Sequence, residues 1–187
     1  MKLILASQSP RRRELLGLFR IPFDVRVADI DETMDPHLPA HEEVGRVSLR
    51  KAMAIAADEN EIIIAADTIV VVDGKILGKP QSPDHARQML KSLSGRDHQV
   101  MTGVTVLKGN QSVTHTEVTH VTFRKLTDAE IDAYVKTGEP MDKAGAYGIQ
   151  GGAALFCEKL NGDYYNVMGL PVCRLGTMLK TIAPELF

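Results

Sequence analysis

Asp67 is the residue in this sequence whose position is hardest to explain without chemistry. It separates residues 62–66 from residues 69–72, two apolar runs that are typical of a buried β-strand. A carboxylate in such surroundings is costly to desolvate unless it is paired, hydrogen-bonded or bound to a metal ion. An aspartate that caps a strand end is the structural alternative. The pattern favours a catalytic or metal-binding role for Asp67, which interrupts the apolar run.

Three consecutive arginines, at positions 11–13, stand at the beginning of a predicted helix, where Ser9 is a suitable N-cap. The first turn of a helix carries roughly half a positive charge, so cations there are unfavourable unless an anion neutralises them. The hydroxyls of Ser7 and Ser9, the guanidinium groups of Arg11 and Arg12 and the free N–H groups would together bind a phosphate. Arginines that extend into solvent explain the charge pattern equally well.

Two lysines and one glutamate are weaker candidates. Lys51 lies on the apolar stripe of a helix predicted over residues 42–57, and Lys79 follows a predicted strand beside a rigid proline. Glu32 lies in an acidic loop; since Mg²⁺ favours one or two carboxylates plus substrate phosphates, Glu32 and Asp67 are candidate metal ligands. A single lysine on an apolar stripe commonly reaches solvent, and most acidic loops are only solvated.

A glycine-rich segment, residues 145–152, has features suited to binding a nucleotide base. Its glycines permit close approach of the backbone to a ligand, Tyr147 can stack on a base, and the amide of Gln150 can read a base edge. Glycine-rich loops are common, so this segment is only suggestive.

The elements that must position these side chains are predicted to be mixed. Apolar strands alternate with capped helices in the first half, and two long strands surround Gly109-Asn110 as a hairpin. Thr127 and Glu130 form a capping box, and a last helix is predicted over residues 171–182. The expected class is α/β with an antiparallel portion, in a single domain over residues 1–187.

Composition excludes several other classes of protein. A net charge of -2 argues against a broad nucleic-acid or membrane surface, and no apolar run approaches the roughly 18 residues of a membrane span. Two cysteines are too few for a disulfide framework, which favours a reducing cytoplasm. Neither a nucleic-acid nor a membrane partner is expected, and a homodimer is compatible with the sequence.

Four segments, in this order, resemble the Maf family of nucleoside triphosphate pyrophosphatases, the septum-formation proteins. The last segment is long and specific, and the likeness covers nearly the whole chain. The segments are Ser7-Gln8-Ser9-Pro10-Arg11-Arg12, Ala65-Ala66-Asp67-Thr68, Lys79-Pro80, and Gly138-Glu139-Pro140-Met141-Asp142-Lys143-Ala144-Gly145-Ala146-Tyr147-Gly148-Ile149-Gln150-Gly151.

The resemblance implies a twisted mixed β-sheet flanked by helices, with two lobes around a central cleft, akin to inosine triphosphate pyrophosphatase. It also implies hydrolysis of a nucleoside triphosphate to the monophosphate and pyrophosphate with a divalent metal cation, Mg²⁺ or Mn²⁺. Asp67 matches the family's catalytic acid/base, and the remaining matches form its phosphate and metal cluster: Ser7, Arg11, Arg12, Glu32, Lys51 and Lys79.

Within the family, the segment from Asp142 to Gly151 resembles the branch that acts on dTTP and UTP. Arg11, Thr68 and Gln150 match the positions linked to that preference. The implied substrates are therefore pyrimidine nucleoside triphosphates, including modified ones that would harm nucleic acid if incorporated.

Two alternatives belong to other classes. Asp29-Ile30-Asp31-Glu32-Thr33 fits the nucleophile pattern of haloacid-dehalogenase-like phosphatases, but Arg26 interrupts the preceding strand and no acidic pair follows for a metal. A non-enzymatic, nucleic-acid-binding regulator of cell division would use the arginines at positions 11–13. No Gly-x-x-x-x-Gly-Lys-Ser/Thr loop is present, which argues against a P-loop kinase.

Overall fold

The computed structural model describes residues 1–56 and 58–187 as a mixed α/β fold. The strands are β1 (Lys2–Leu5), β2 (Phe23–Val25), β3 (Glu61–Val72), β4 (Lys75–Leu77), β5 (Asp97–Lys108), β6 (Gln111–Phe123) and β7 (Cys157–Asn161). The α-helices are α1 (Pro10–Gly17), α2 (Ala40–Met53), α3 (Pro83–Leu93), α4 (Asp128–Lys136), α5 (Tyr164–Met168) and α6 (Val172–Ile182).

Side-chain caps fix where three of these helices begin. The hydroxyls of Ser9 and Ser82 accept hydrogen bonds from backbone N–H groups in the first turns of α1 and α3. At α4, Thr127 and Glu130 satisfy each other's backbone N–H groups, which confirms the predicted capping box.

The strands form one seven-stranded mixed sheet in the order β2-β1-β3-β5-β6-β7, with β4 paired to β3. β1 is parallel to β2 and to β3, whereas β4 is antiparallel to β3 and β7 is antiparallel to β6. The predicted α/β class with a mixed sheet is confirmed.

The structure defines the course of one predicted strand and the end of one predicted helix. β3 is continuous through Asp67 and Thr68, so Asp67 lies within the strand and does not cap its end. A strand can carry a carboxylate in mid-course when tertiary contacts pair it, as described below. Helix α2 ends at Met53, short of the predicted range, and Ala57 at the end of that range lies outside the described residues.

The chain divides into two compact units. The first comprises Met1–Asp67, Thr102–Glu117 and Gly169–Phe187, and its buried core includes Leu3, Ile63, Val44, Val104 and Leu175. The second comprises Thr68–Met101 and Val118–Met168, and its core includes Leu90, Leu93, Phe123, Ile131 and Phe156. Each unit thus has its own hydrophobic core. Among the described residues, no helix is long and apolar enough to cross a bilayer.

Gly103 on β5 sets how closely α2 approaches the sheet in the first unit. A Cβ atom at this position would lie 2.6 Å from the carbonyl carbon of Val44 and 2.8 Å from the Cα atom of Gly45. The hydroxyl of Ser48 on α2 and that of Thr105 on β5 are hydrogen-bonded at 2.7 Å. A glycine and a buried hydroxyl pair therefore seat the helix that carries Lys51.

Candidate active site

Asp67 and Lys51 form a half-buried ion pair. Lys51 Nζ donates to Asp67 Oδ1 at 2.6 Å, and their side chains are only 15% and 13% exposed. Lys51 Nζ also lies 3.1 Å from Glu32 Oε1, whose side chain is 59% exposed. One ammonium group therefore contacts two carboxylates, which compensates part of the cost of withdrawing Asp67 from water.

Helix α2 also holds the loop that carries Glu32. Glu43, which is 3% exposed, accepts a hydrogen bond from the backbone N–H of Asp35 at 2.7 Å. Arg50 donates to the carbonyl oxygen of Thr33 at 2.8 Å. These two contacts from one helix hold the loop one and three residues after Glu32, whose carboxylate contacts Lys51.

Arg12 is directed inward from the first turn of α1. Its Nε donates to the carbonyl oxygen of Gly169 at 2.8 Å, and its Nη1 donates to Ser7 Oγ at 3.3 Å. Burial lowers the pKa of Arg12, and the nearby carboxylates of Asp67 and Glu32 oppose this shift. An arginine remains charged despite such a shift, so Arg12 is a cation in a poorly solvated place beside two carboxylates.

The serines at the start of α1 are ordered by the same network. Ser7 Oγ accepts from the backbone N–H of Ser9 at 3.2 Å, and Ser9 Oγ accepts from the backbone N–H of Arg12 at 3.4 Å. The positive charge of Arg11 also acts on Arg12 and lowers its pKa. We call Arg12, Glu32, Lys51 and Asp67 the charged cluster.

The first unit thus brings together seven of the residues that the sequence singled out. Hydrogen bonds, ion pairs or electrostatic effects link all of them within this unit: Ser7, Ser9, Arg11, Arg12, Glu32, Lys51 and Asp67. Such a set of cations around two carboxylates can bind a polyphosphate and a divalent cation.

The other three predicted residues belong to the second unit. Thr68 directly follows Asp67 in β3, and its side chain is half-buried. Lys79 is exposed after β4, and the carbonyl oxygen of the preceding Gly78 accepts a hydrogen bond from the N–H of Gly145 at 3.0 Å. The segment that carries Lys79 is therefore tied to the glycine-rich loop.

Gln150 is exposed at the corner of a tight turn. The N–H of Gly151 donates to the carbonyl oxygen of Gly148 at 3.0 Å, so Ile149 and Gln150 are its central residues. Ile149 is buried at 8% exposure, whereas Gln150 is turned to solvent. We call residues 148–151 the glycine turn.

Sequence reasoning did not single out Tyr134 or Glu139, which shape the glycine turn. Tyr134 is buried, and its hydroxyl donates to Glu139 Oε1 at 2.8 Å. The three glycines at 148, 151 and 152 were a signal, because glycines are typical of a backbone that passes close to other atoms. The sequence does not show which atoms these are, because that depends on the tertiary structure.

A divalent cation fits the charged cluster only in part. Mg²⁺ takes six oxygen ligands, and Glu32 and Asp67 present two carboxylates that already share one positive group. Among residues 1–56 and 58–187 there is no group of three or more histidine, cysteine or acidic side chains that could hold a metal ion. The remaining ligands would have to be substrate phosphates and water.

The comparisons with known proteins identify the family. A family model described as Maf-like protein matches residues 2–182. The chain belongs to the Maf family. It is 48% identical over 180 residues to a dTTP/UTP pyrophosphatase of Bacillus cereus (strain G9842), and the aligned region covers 96% of this chain and 94% of the relative. It is 51% identical over 190 residues to a dTTP/UTP pyrophosphatase of Moorella thermoacetica, covering 100% and 97%.

A solved structure supports the fold. The HAM1 protein from Coxiella burnetii matches 97% of this Maf-family chain and 99% of its own, with a TM-score of 0.53 and 15% sequence identity. This likeness concerns the architecture alone and agrees with the expected mixed sheet flanked by helices.

The phosphatase alternative is not supported. Strand β2 ends at Val25, four residues before Asp29, so the acidic segment does not follow directly from a buried strand. Asp31 Oδ1 instead accepts a hydrogen bond from the N–H of Thr33 at 2.8 Å, which stabilises a local turn. Hydrogen bonds from the side chain of Thr33 and from its backbone N–H lower the pKa of Asp31.

Proposed function

We propose that this Maf-family chain is a nucleoside triphosphate pyrophosphatase that hydrolyses dTTP and UTP between the α and β phosphates. The proposal depends most on the charged cluster, in which the weakly exposed Asp67 lies against Lys51 and in the field of Arg12. The full-length likeness to two relatives named dTTP/UTP pyrophosphatase supports it.

In the proposed reaction, Asp67 orients the attacking water and accepts its proton. Lys51, Arg12 and the N–H groups at the start of α1 bind the phosphate chain and stabilise the charge that develops on the leaving pyrophosphate. Lys79 is assigned the same role. Catalysis of this kind depends on position and charge, which suits a site with several cations and one half-buried carboxylate.

A divalent cation, Mg²⁺ or Mn²⁺, supplies activation of water and neutralisation of phosphate charge when it is bound. Glu32 and Asp67 are the proposed protein ligands. Since they supply only two carboxylates, we propose that the triphosphate completes the coordination. Lys51 contacts both carboxylates and offsets part of their charge.

Substrate preference is assigned to Arg11, Thr68 and Gln150. Gln150 carries both a donor and an acceptor on an exposed amide, which can pair with the donor and acceptor edge of a thymine or uracil ring. Modified pyrimidine triphosphates with an unchanged edge fall within the same proposal.

Product analysis in ¹⁸O-labelled water tests the reaction. Purified protein with Mg²⁺ or Mn²⁺ is expected to convert dTTP and UTP to the monophosphate and pyrophosphate, with the label in the monophosphate. A panel of purine triphosphates serves as the comparison and should react more slowly. Release of inorganic phosphate would instead support a phosphatase, and absence of turnover with every triphosphate would support a non-enzymatic role.

A further inference from the structure

The glycine turn is fixed from one side by a single carboxylate. Glu139 Oε2 accepts a hydrogen bond from the N–H of Gly152 at 3.1 Å, and Glu139 Oε1 accepts one from the hydroxyl of Tyr134 at 2.8 Å. The same hydroxyl accepts a hydrogen bond from the N–H of Gly148 at 3.0 Å. The backbone is therefore held at the first residue of the turn that presents Gln150 and immediately after its last residue.

The glycines of this segment are needed because the backbone lies directly on that carboxylate. A Cβ atom at Gly151 would lie 2.5 Å from Cδ and 2.6 Å from Oε2 of Glu139. At Gly152 it would lie 3.1 Å from Cδ2 of the Tyr134 ring. Contacts this short leave the turn little freedom to shift while Glu139 and Tyr134 stay in place.

Glu139 is itself held at its backbone. Lys143 Nζ donates to the carbonyl oxygen of Glu139 at 2.7 Å and to Asp142 Oδ1 at 2.7 Å, with its side chain 15% exposed. A Cβ atom at Gly148 would lie 2.7 Å from Cε of the same lysine. Lys143 thus contacts both Glu139 and the first residue of the glycine turn.

We propose that Glu139 and Tyr134 are positioning residues for base recognition, which hold the glycine turn so that the amide of Gln150 is presented in one orientation. The inference rests on the proposed pyrimidine triphosphate activity, and it adds the two side chains on which the discrimination by Gln150 depends. Neither residue is assigned contact with the substrate. Their effect passes through the backbone N–H groups of Gly148 and Gly152.

Tyr134→Phe removes one oxygen atom and leaves the buried ring in place. The N–H of Gly148 then loses its acceptor and Glu139 loses a donor, so the turn is no longer fixed on that side. We expect KM for dTTP and UTP to rise about tenfold, the size of one lost buried hydrogen bond, with kcat changed by less than about twofold. Tyr165→Phe, at a tyrosine that is 41% exposed, is the matched control.

A double-mutant cycle separates positioning from a general structural effect. If Tyr134 acts through Gln150, Tyr134→Phe should raise KM in the wild-type background and have almost no further effect in a Gln150→Ala background. Additive effects of the two substitutions would overturn the proposal. Glu139→Gln, which retains one oxygen acceptor, should preserve more of the pyrimidine preference than Glu139→Ala.

Amide hydrogen exchange gives a readout that does not require turnover. In Tyr134→Phe the N–H groups of Gly148 and Gly152 should exchange faster, while amides in β1 and β3 keep their protection. Unchanged exchange at both glycines would contradict the anchoring. Failure of the wild-type protein to hydrolyse dTTP and UTP would overturn the proposed function and, with it, the assignment to base recognition.

Discussion

The charged cluster of the first unit and the glycine turn of the second hold their functional groups by different interactions. In the charged cluster, side chains from α1, α2, β3 and a loop meet through opposite charges. In the glycine turn, side chains fix the conformation of the backbone. Tyr134 and Glu139 accept hydrogen bonds from backbone N–H groups of this segment.

The difference has consequences for substitution. Charge acts over several ångströms, and long side chains can adjust, so the charged cluster depends most on which residue types are present. Hydrogen bonds to a tight turn tolerate displacements of only a few tenths of an ångström, so the glycine turn depends most on the positions of its atoms. Changes in the former should alter the reaction, and changes in the latter should alter binding and selectivity.

The largest expected effect is that of Asp67→Asn. It keeps the shape of the side chain but removes the proposed base and the negative charge that faces Lys51, so turnover should fall at least about a thousandfold. Pyrophosphate release with saturating dTTP measures it. Asp24→Asn, at an exposed partner of Lys2, should retain full activity. Near-normal turnover of the Asp67 variant would remove this carboxylate from the mechanism.

Gly103→Ala tests how closely α2 must pack against β5 for the first unit to be stable. The new methyl group would meet backbone atoms of Val44 and Gly45, which cannot rotate away, so the free energy of unfolding should fall by about 2–4 kcal/mol. Gly151→Ala meets a side chain instead and should cost less stability while raising KM. Gly78→Ala has open space and serves as the control. Urea denaturation measures the free energy of unfolding of all three variants, and steady-state kinetics measures KM of the Gly151 variant.

The pH dependence of stability should report on His98, which lies beneath the glycine-rich loop. His98 Nε2 is hydrogen-bonded to the hydroxyl of Tyr147 at 2.7 Å, and burial lowers the pKa of His98 from 6.5 to about 4. Between pH 6.5 and 4, His98 binds a proton in the unfolded chain but stays neutral in the folded protein. Stability should therefore be lost as pH falls from 6.5 to 4, by roughly 2–3 kcal/mol.

Urea denaturation across this pH window checks the expectation. His98→Asn should flatten the profile between pH 6.5 and 4, whereas His37→Asn, at an exposed histidine, should leave the slope unchanged. An unchanged slope in the His98 variant would assign the pH dependence to other groups.

The smallest expected effect concerns metal affinity. Lys51 Nζ contacts both proposed metal ligands, so it competes with a divalent cation for them. Lys51→Met should therefore tighten Mn²⁺ binding to the protein alone by roughly three- to tenfold, even as turnover falls. Titration followed by electron paramagnetic resonance measures it, with Lys75→Met as the control for net charge. Weaker binding in the Lys51 variant would show that the lysine does not compete.

The sequence predicted residues of the charged cluster because burying a charged side chain within an apolar segment costs free energy unless the charge is paired. Asp67 within β3 and Lys51 within α2 were found in this way, and Glu32 only with the help of family likeness. The same argument could not predict that Asp67 is paired with Lys51, because this pairing is a tertiary contact.

The glycine turn was predicted only as a loop. Gln150 could be proposed from its type, but Glu139 and Tyr134 act on backbone N–H groups, which every residue has, so no pattern of residue types marks the interaction. Gly103 is a similar case, because nothing in the spacing of β5 shows that a helix backbone faces that position.

The hydrogen bond between Arg12 and Gly169 links α1, the second element of the chain, to a residue 157 positions later. During synthesis, the guanidinium that is proposed to bind phosphate is made early, but the carbonyl oxygen that orients it leaves the ribosome only after both halves of the second unit. Helix α6, whose Leu175 and Leu179 complete the first core, follows later still. Competence to bind a triphosphate should thus arise abruptly near the end of translation rather than grow with chain length.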